Sequence, residues 1–84
     1  MHWNYRIIEH DKSKPAYFAV HEVYYDEKGN IEGWTEDPIN VVGDNKTEVT
    51  MIIQHISADT KRPILKESEL EKNLSKFGKN WGGL

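Results

Sequence analysis

The chain has 84 residues, of which 37% are hydrophobic and 30% are charged, and it contains no cysteine. Leu, Ile, Val and Phe together account for 19 residues, or 23%, slightly above the roughly 20% below which disorder is the better expectation. This composition predicts one small domain with a thin core, and it excludes disulfides, a thiolate nucleophile and cysteine-based zinc sites.

The formal net charge of −3 is unevenly distributed along the chain. Residues 1–59 carry 5 basic and 11 acidic side chains, whereas residues 60–84 carry 6 basic and 3 acidic ones. A basic surface that could coat a nucleic-acid backbone is therefore expected only in the C-terminal segment. No apolar run approaches the roughly 18–20 residues of a membrane helix, and the N-terminal residues resemble a strand rather than a signal peptide. We expect a cytoplasmic location, no membrane contact and no cofactor.

The first part of the chain predicts a three-stranded antiparallel meander. Alternating residues indicate a strand over Trp3–Ile8, and the aromatic and β-branched stretch Tyr17–Tyr25 indicates a second. Asp26–Gly29 fits a type I turn in which Gly29 takes the left-handed conformation. Ile31–Thr35 then returns as the third strand.

The turn also predicts a register, because pairing Asp26 with Asn30 places Glu22 opposite Trp34. One sheet face then has little charge, and we expect a helix to pack on it: Tyr17, Ala19, His21, Val23, Tyr25, Ile31, Gly33 and Thr35. The other face mixes aromatic residues with glutamates and is expected to be partly exposed: Phe18, Val20, Glu22, Tyr24, Glu32, Trp34 and Glu36. A slip of one residue would exchange the two faces.

A long amphipathic helix is predicted over Asn45–Ala58. Asn45 and Glu48 resemble a capping box, although Asp44 is an alternative cap. The helical spacing then places four apolar residues on one stripe: Val49, Ile52, Ile53 and Ile56.

A shorter second helix is predicted over Ser68–Phe77. Ser68 and Glu71 resemble another capping box, and Gly78 suits the position after the helix C-terminus. Between the two helices, Ile64 and Leu65 are interpreted either as a short strand or as an anchored turn.

These elements predict a single two-layer α+β domain over residues 1–78, followed by a flexible tail over residues 79–84. The main helix is expected to cover one face of the meander, with the shorter helix following it. The predicted core consists of Tyr5, Ile7, Ala19, Val23, Ile31, Val49, Ile52, Ile53 and Ile56.

The uncovered sheet face is the leading candidate site. Exposed aromatic residues are typical of interaction surfaces, and Tyr and Trp dominate the energetics of such surfaces. We predict a non-enzymatic protein-interaction or regulatory module that binds an unknown protein partner or a second copy of itself. The predicted contact residues are Phe18, Glu22, Tyr24, Trp34 and Glu36. In the alternative interpretation, the second helix covers this face through Leu70, Leu74 and Phe77.

Two other functions remain open on the sequence. His21, Glu36 and Asp37 are predicted near one end of the sheet, where they could bind a small molecule or a metal ion. Neither an H-x₃-H nor an HExxH pattern supports this site, and no nucleotide-binding or nucleophile motif is present. Weak nucleic-acid contact is the other possibility, through the basic residues Lys61, Arg62, Lys66, Lys72, Lys76 and Lys79.

The segments MHWNYR, HEVYYDE, GWTEDP and VVGD resemble a group of small bacterial proteins of unassigned function. The resemblance covers roughly the first half of the chain, through Asp44, and it implies no catalytic residues. The order of three strands and a helix, with Gly-Asp before the helix, also resembles the HicB-like antitoxin fold. That resemblance implies a domain that binds and blocks a toxin, often as an oligomer. The chain differs from the family pattern in lacking a clear helix-turn-helix or ribbon appendage.

Overall fold

The computed structural model describes residues 2–74, and this part of the chain forms a mixed four-stranded sheet and two helices. The elements are β1 (His2–His10), β2 (Tyr17–Tyr25), β3 (Ile31–Trp34), α1 (Lys46–Asp59), β4 (Leu65–Lys66) and α2 (Glu67–Leu74). The predicted α+β class is therefore confirmed. The predicted tail over residues 79–84 lies outside the described residues, as do Phe77 and Gly78.

The strands lie in the order β3-β2-β1-β4. The β1–β2 and β2–β3 pairs are antiparallel, as predicted, but β4 adds a fourth strand parallel to β1. The β4 pairing joins Ile8 to Leu65 and Glu9 to Lys66. The short-strand interpretation of Ile64 and Leu65 is confirmed at Leu65. Its membership of the sheet was not predicted, because two residues are too few to produce an alternating pattern.

The turn between β2 and β3 is confirmed in detail. The Gly29 N–H donates to the Asp26 carbonyl over 3.0 Å, and Gly29 has a φ of 85°. The Asp26 side chain accepts from the N–H groups of Lys28 and Asn30 over 2.8 and 2.9 Å. Asp26 and Asn30 also pair through their backbones, as predicted.

The predicted register beyond this turn is wrong by one residue. Tyr25 pairs with Ile31, but Tyr24 pairs with Gly33, so a β-bulge interrupts the ladder. The extra residue moves Trp34 opposite Val23 rather than opposite Glu22. Trp34 consequently lies on the other face of the sheet from the one predicted.

The two helices pack on opposite faces of the sheet, so the predicted two-layer arrangement is wrong. On the α1 face, the rings of Trp3 and Tyr5 lie 5.5 and 5.0 Å from the His55 ring, measured between centroids. On the α2 face, Leu70 packs with Ile8 and other core residues. The face that was expected to receive α1 is therefore covered by α2.

The buried apolar residues of the described part are Tyr5, Ile8, Val23, Tyr25 and Leu70. Ile31, Trp34 and Leu65 pack against the cluster formed by the last four of these. Tyr5 and Val23 are confirmed from the predicted core, whereas Ile53 is 53% exposed and does not belong to it. The remaining predicted core residues are only partly buried: Ile7, Ala19, Ile31, Val49, Ile52 and Ile56.

The start of α1 matches its prediction. Asn45 is the N-cap, and its side-chain oxygen accepts from the Glu48 N–H over 2.9 Å. The Glu48 carboxylate reaches back to the Asp44 N–H over 2.8 Å. These two bonds satisfy N–H groups that would otherwise have no partner at the helix start, which explains why α1 begins where it does.

The predicted capping role of Ser68 in α2 is wrong. The helix begins at Glu67, and Ser68 donates its backbone N–H and its hydroxyl to Asp11 over 3.1 and 2.6 Å. Because β4 runs parallel to β1, it delivers the start of α2 beside the residue that follows β1. These hydrogen bonds lower the pKa of the Asp11 carboxyl.

Neither described helix has the length and apolar character needed to cross a membrane.

Candidate functional site

A groove opens between α1, β2 and the segment that follows β3, with a volume of about 520 Å³. The described residues that line it are all apolar: Phe18, Ala19, Val20, Pro38, Ile39, Val41, Ile53 and Ile56. No acid, base or nucleophile is among them, so the groove offers contact area and no reactive group.

The groove exists because α1 packs mainly over β1 and leaves β2 uncovered. Tyr5 on β1 donates its backbone N–H to the Asp59 carboxylate over 3.0 Å, which fixes the end of α1 beside that strand. The Ile39 N–H donates to the Val20 carbonyl over 3.0 Å, which holds the opposite wall against β2. Between these anchors, Phe18 is 58% exposed and presents an apolar surface to solvent.

Acidic residues lie beside this apolar surface. Glu36 and Asp37 directly precede the wall residue Pro38, and both are exposed. Glu22 follows the wall residue Val20 by two positions in β2 and therefore lies on the same face. The groove thus combines an apolar floor with negative charge at its border.

The structure brings together only some of the five predicted contact residues. Phe18 lines the groove, and Glu22 and Tyr24 share its face of the sheet. The Tyr24 hydroxyl donates to the Glu22 carboxylate over 2.6 Å, and this bond raises the pKa of Tyr24 to about 12. Glu36 is exposed at the groove border, whereas Trp34 packs against the core on the α2 face. Trp34 is removed from the predicted surface by the β-bulge in β2–β3.

The structure does not bring His21, Glu36 and Asp37 together on one accessible surface. His21 is fully buried and binds Thr35 and His10, whereas Glu36 and Asp37 are exposed to solvent. Within residues 2–74, no group of three or more His, Asp or Glu side chains is arranged to hold a metal ion.

His10 is the important residue that the sequence interpretation missed. Its Nε2 atom lies 2.9 Å from Nε2 of His21, and its Nδ1 atom lies 3.4 Å from the Glu67 carboxylate. The Tyr17 ring stacks on the His10 ring with 4.4 Å between centroids. His21 lies on a predicted strand, but His10 lies beyond the predicted end of the first strand at Ile8, and their contact depends on the β1–β2 register.

The basic residues of the C-terminal segment belong to different elements in the described part of the chain. Arg62 pairs with Asp59 on α1 over 3.4 Å, and Lys66 lies in β4 beside Glu9. Lys76 and Lys79 lie outside the described residues. The predicted nucleic-acid contact therefore stays a prediction.

Comparison with known proteins adds no identification: no family model, no curated protein and no solved structure matches the chain.

Proposed function

We propose that this protein is a non-enzymatic interaction module whose groove binds an apolar segment of a partner protein flanked by basic residues. The observation that carries the proposal is the entirely apolar lining of the groove, with Phe18 and Ile53 both more than half exposed. Exposed apolar surface of this kind favours a partner that removes it from water.

The charge around the groove favours a basic partner. Residues 1–59 carry six more acidic than basic side chains, and Glu36 and Asp37 stand at the groove border. Lysine or arginine residues beside the apolar segment would complement this charge and increase the association rate.

The same charge disfavours a second copy as the occupant. In a two-fold dimer, the same surface of each subunit faces its counterpart. The acidic border of one groove would then approach the acidic border of the other, which costs free energy. A distinct partner with positive charge avoids this repulsion.

An amphipathic peptide built from Leu and Lys provides a direct probe of the groove. We expect NMR titration of the labelled protein to shift the amide signals of Phe18, Val41 and Ile53, and a matched Leu/Glu peptide to bind more weakly. Replacement of Ile53 by Asn is expected to weaken binding about tenfold, because a lost apolar contact of about 1.4 kcal/mol has that effect.

Ile64→Asn is the matched control, because Ile64 is 51% exposed and Ile53 is 53% exposed, yet only Ile53 lines the groove. The control variant should bind the Leu/Lys peptide as the unmodified protein does. Equal weakening in both variants would contradict the proposal. A dimer in sedimentation that Ile53→Asn dissociates would assign the groove to self-association instead.

A further inference from the structure

The groove and α2 approach the same end of the sheet from its opposite faces. Phe18, which lines the groove, pairs with Glu9 beside the connection between β1 and β2. Lys12 of that connection pairs with Glu71 on α2, where the last turn of this helix begins. From the other face, α2 therefore reaches the end of the sheet at which Phe18 is exposed.

The ten residues after α2 have the composition that suits the groove. Their sequence is SKFGKNWGGL, which contains large apolar residues and two lysines, Lys76 and Lys79, but no acidic residue. The formal charge of +2 is opposite in sign to the acidic border of the groove at Glu36 and Asp37. This stretch combines apolar contact area with positive charge, as the proposed partner segment does.

These ten residues are also long enough to connect α2 with the groove. An extended chain covers about 3.3 Å per residue, so ten residues beyond Leu74 span up to about 33 Å. Neighbouring layers of a domain pack roughly 10 Å apart, so the path from the α2 layer to the α1 layer covers about 20 Å. About six residues, 75–80, are sufficient for that path, and Trp81 and Leu84 are then within reach of the groove.

We propose that the tail, residues 79–84, binds in the groove of its own chain and shields the apolar lining until a partner displaces it. This inference rests on the proposed function, because it assigns a competitor to the same groove. Trp81 and Leu84 cover the exposed side chains of Phe18 and Ile53, and Lys79 supplies positive charge at the acidic border.

The covalent connection allows a weak contact to shield the groove. A short linker gives the tail an effective concentration of about 1 mM, so a tail that binds with a Kd of about 1 mM fills the groove about half of the time. A second copy at micromolar concentration is roughly a thousandfold more dilute and does not compete. A partner loses only about twofold in apparent affinity, because about half of the grooves stay open.

A spin label on the tail tests whether it reaches the groove. The chain has no cysteine, so Gly83→Cys gives one site for a nitroxide in the full-length protein. We expect NMR to show broadened amide signals for Val41 and Ile53, compared with the same sample after reduction of the label. The signal of Lys28 should stay sharp, because the β2–β3 turn lies at the other end of the sheet from Phe18. The broadening should not depend on protein concentration.

Ile53→Asn in the labelled protein tests whether the apolar lining holds the tail. A tenfold weaker contact lowers the filled fraction from about one half to about one in eleven, so the paramagnetic broadening of Val41 should fall about fivefold. Ile64→Asn is the matched control, because Ile64 is similarly exposed but does not line the groove. It should leave the broadening unchanged, and the signals of the sheet show whether both variants are folded.

Addition of the Leu/Lys peptide separates this inference from the proposed function. Restored groove signals would support both, because the peptide then displaces the tail. Peptide binding without any broadening by the label would overturn the inference and leave the proposed function intact. Broadening that the peptide does not relieve, but that Ile53→Asn reduces, would support the inference and contradict the proposed function. Broadening that disappears on dilution, or that both variants retain, would overturn the inference.

Discussion

Replacement of Ile8 by alanine is expected to destabilise the protein by about 2–5 kcal/mol, the usual cost of truncating a buried isoleucine. Ile8 is fully buried and belongs to the cluster formed with Val23, Tyr25 and Leu70. It also pairs with Leu65 of β4. Its truncation therefore leaves a cavity where the sheet meets α2, and urea unfolding at constant pH measures the loss.

Ile7→Ala is the matched control, because the two neighbouring isoleucines point to opposite faces. Ile7 is only partly buried on the α1 face, so its truncation is expected to cost about 1 kcal/mol. A larger effect at Ile7 than at Ile8 would contradict the assignment of the core to the α2 face.

Replacement of Asp59 by alanine is the second change with a large expected effect. Asp59 is buried, and its carboxylate accepts a hydrogen bond from the Tyr5 backbone N–H of β1 over 3.0 Å. Without that acceptor the buried N–H has no partner, which costs about 1–3 kcal/mol. We expect a corresponding loss in the free energy of unfolding measured by urea titration.

Asp59→Asn separates the hydrogen bond from the charge. The amide oxygen can still accept from Tyr5, whereas the ion pairs with His55 and Arg62 are lost. Because both partners are about half exposed, these pairs contribute little, and we expect Asp59→Asn to cost less than about 1 kcal/mol. Equal destabilisation by Asn and Ala would instead assign the effect to the charge.

Local sequence signals predicted the elements that depend on neighbouring residues. Asp26 and Gly29 specified the turn through bonds within five residues, and Asn45 with Glu48 specified the start of α1. These structures form from contacts close in sequence, so residue type and spacing contain most of the information.

The choice of the buried face depended on contacts that are distant in sequence. The α2 face contains Arg6, which an alternating pattern assigns to solvent, His10, which lies beyond the predicted first strand, and His21, which was predicted on the covered face. Their polar atoms bind Tyr25, Pro63, Glu67 and Thr35, and these partners make burial possible. A pattern of apolar and polar residues does not contain those partners, so it did not show which helix covers this face.

The candidate site shows the same division between local and distant information. Phe18 and Glu36 were correctly predicted to be exposed. Trp34 was predicted on the same surface, but one extra residue in β3 turns its side chain to the α2 face. Ile53 was assigned to the core because it belongs to the apolar stripe of α1. Its exposure results from the position of α1 over β1, which Asp59 fixes from the other end of the helix.

The position of Leu70 has a consequence for the synthesis of this protein. Ile8, Val23 and Tyr25 are made early, but the residue that completes their cluster belongs to the last described helix. A growing chain can form the β1–β2 hairpin and still expose one side of the sheet until α2 has left the ribosome. This core is therefore completed only after α2 has been synthesised, and a nascent chain that stops before α2 would present its unfinished apolar surface to chaperones.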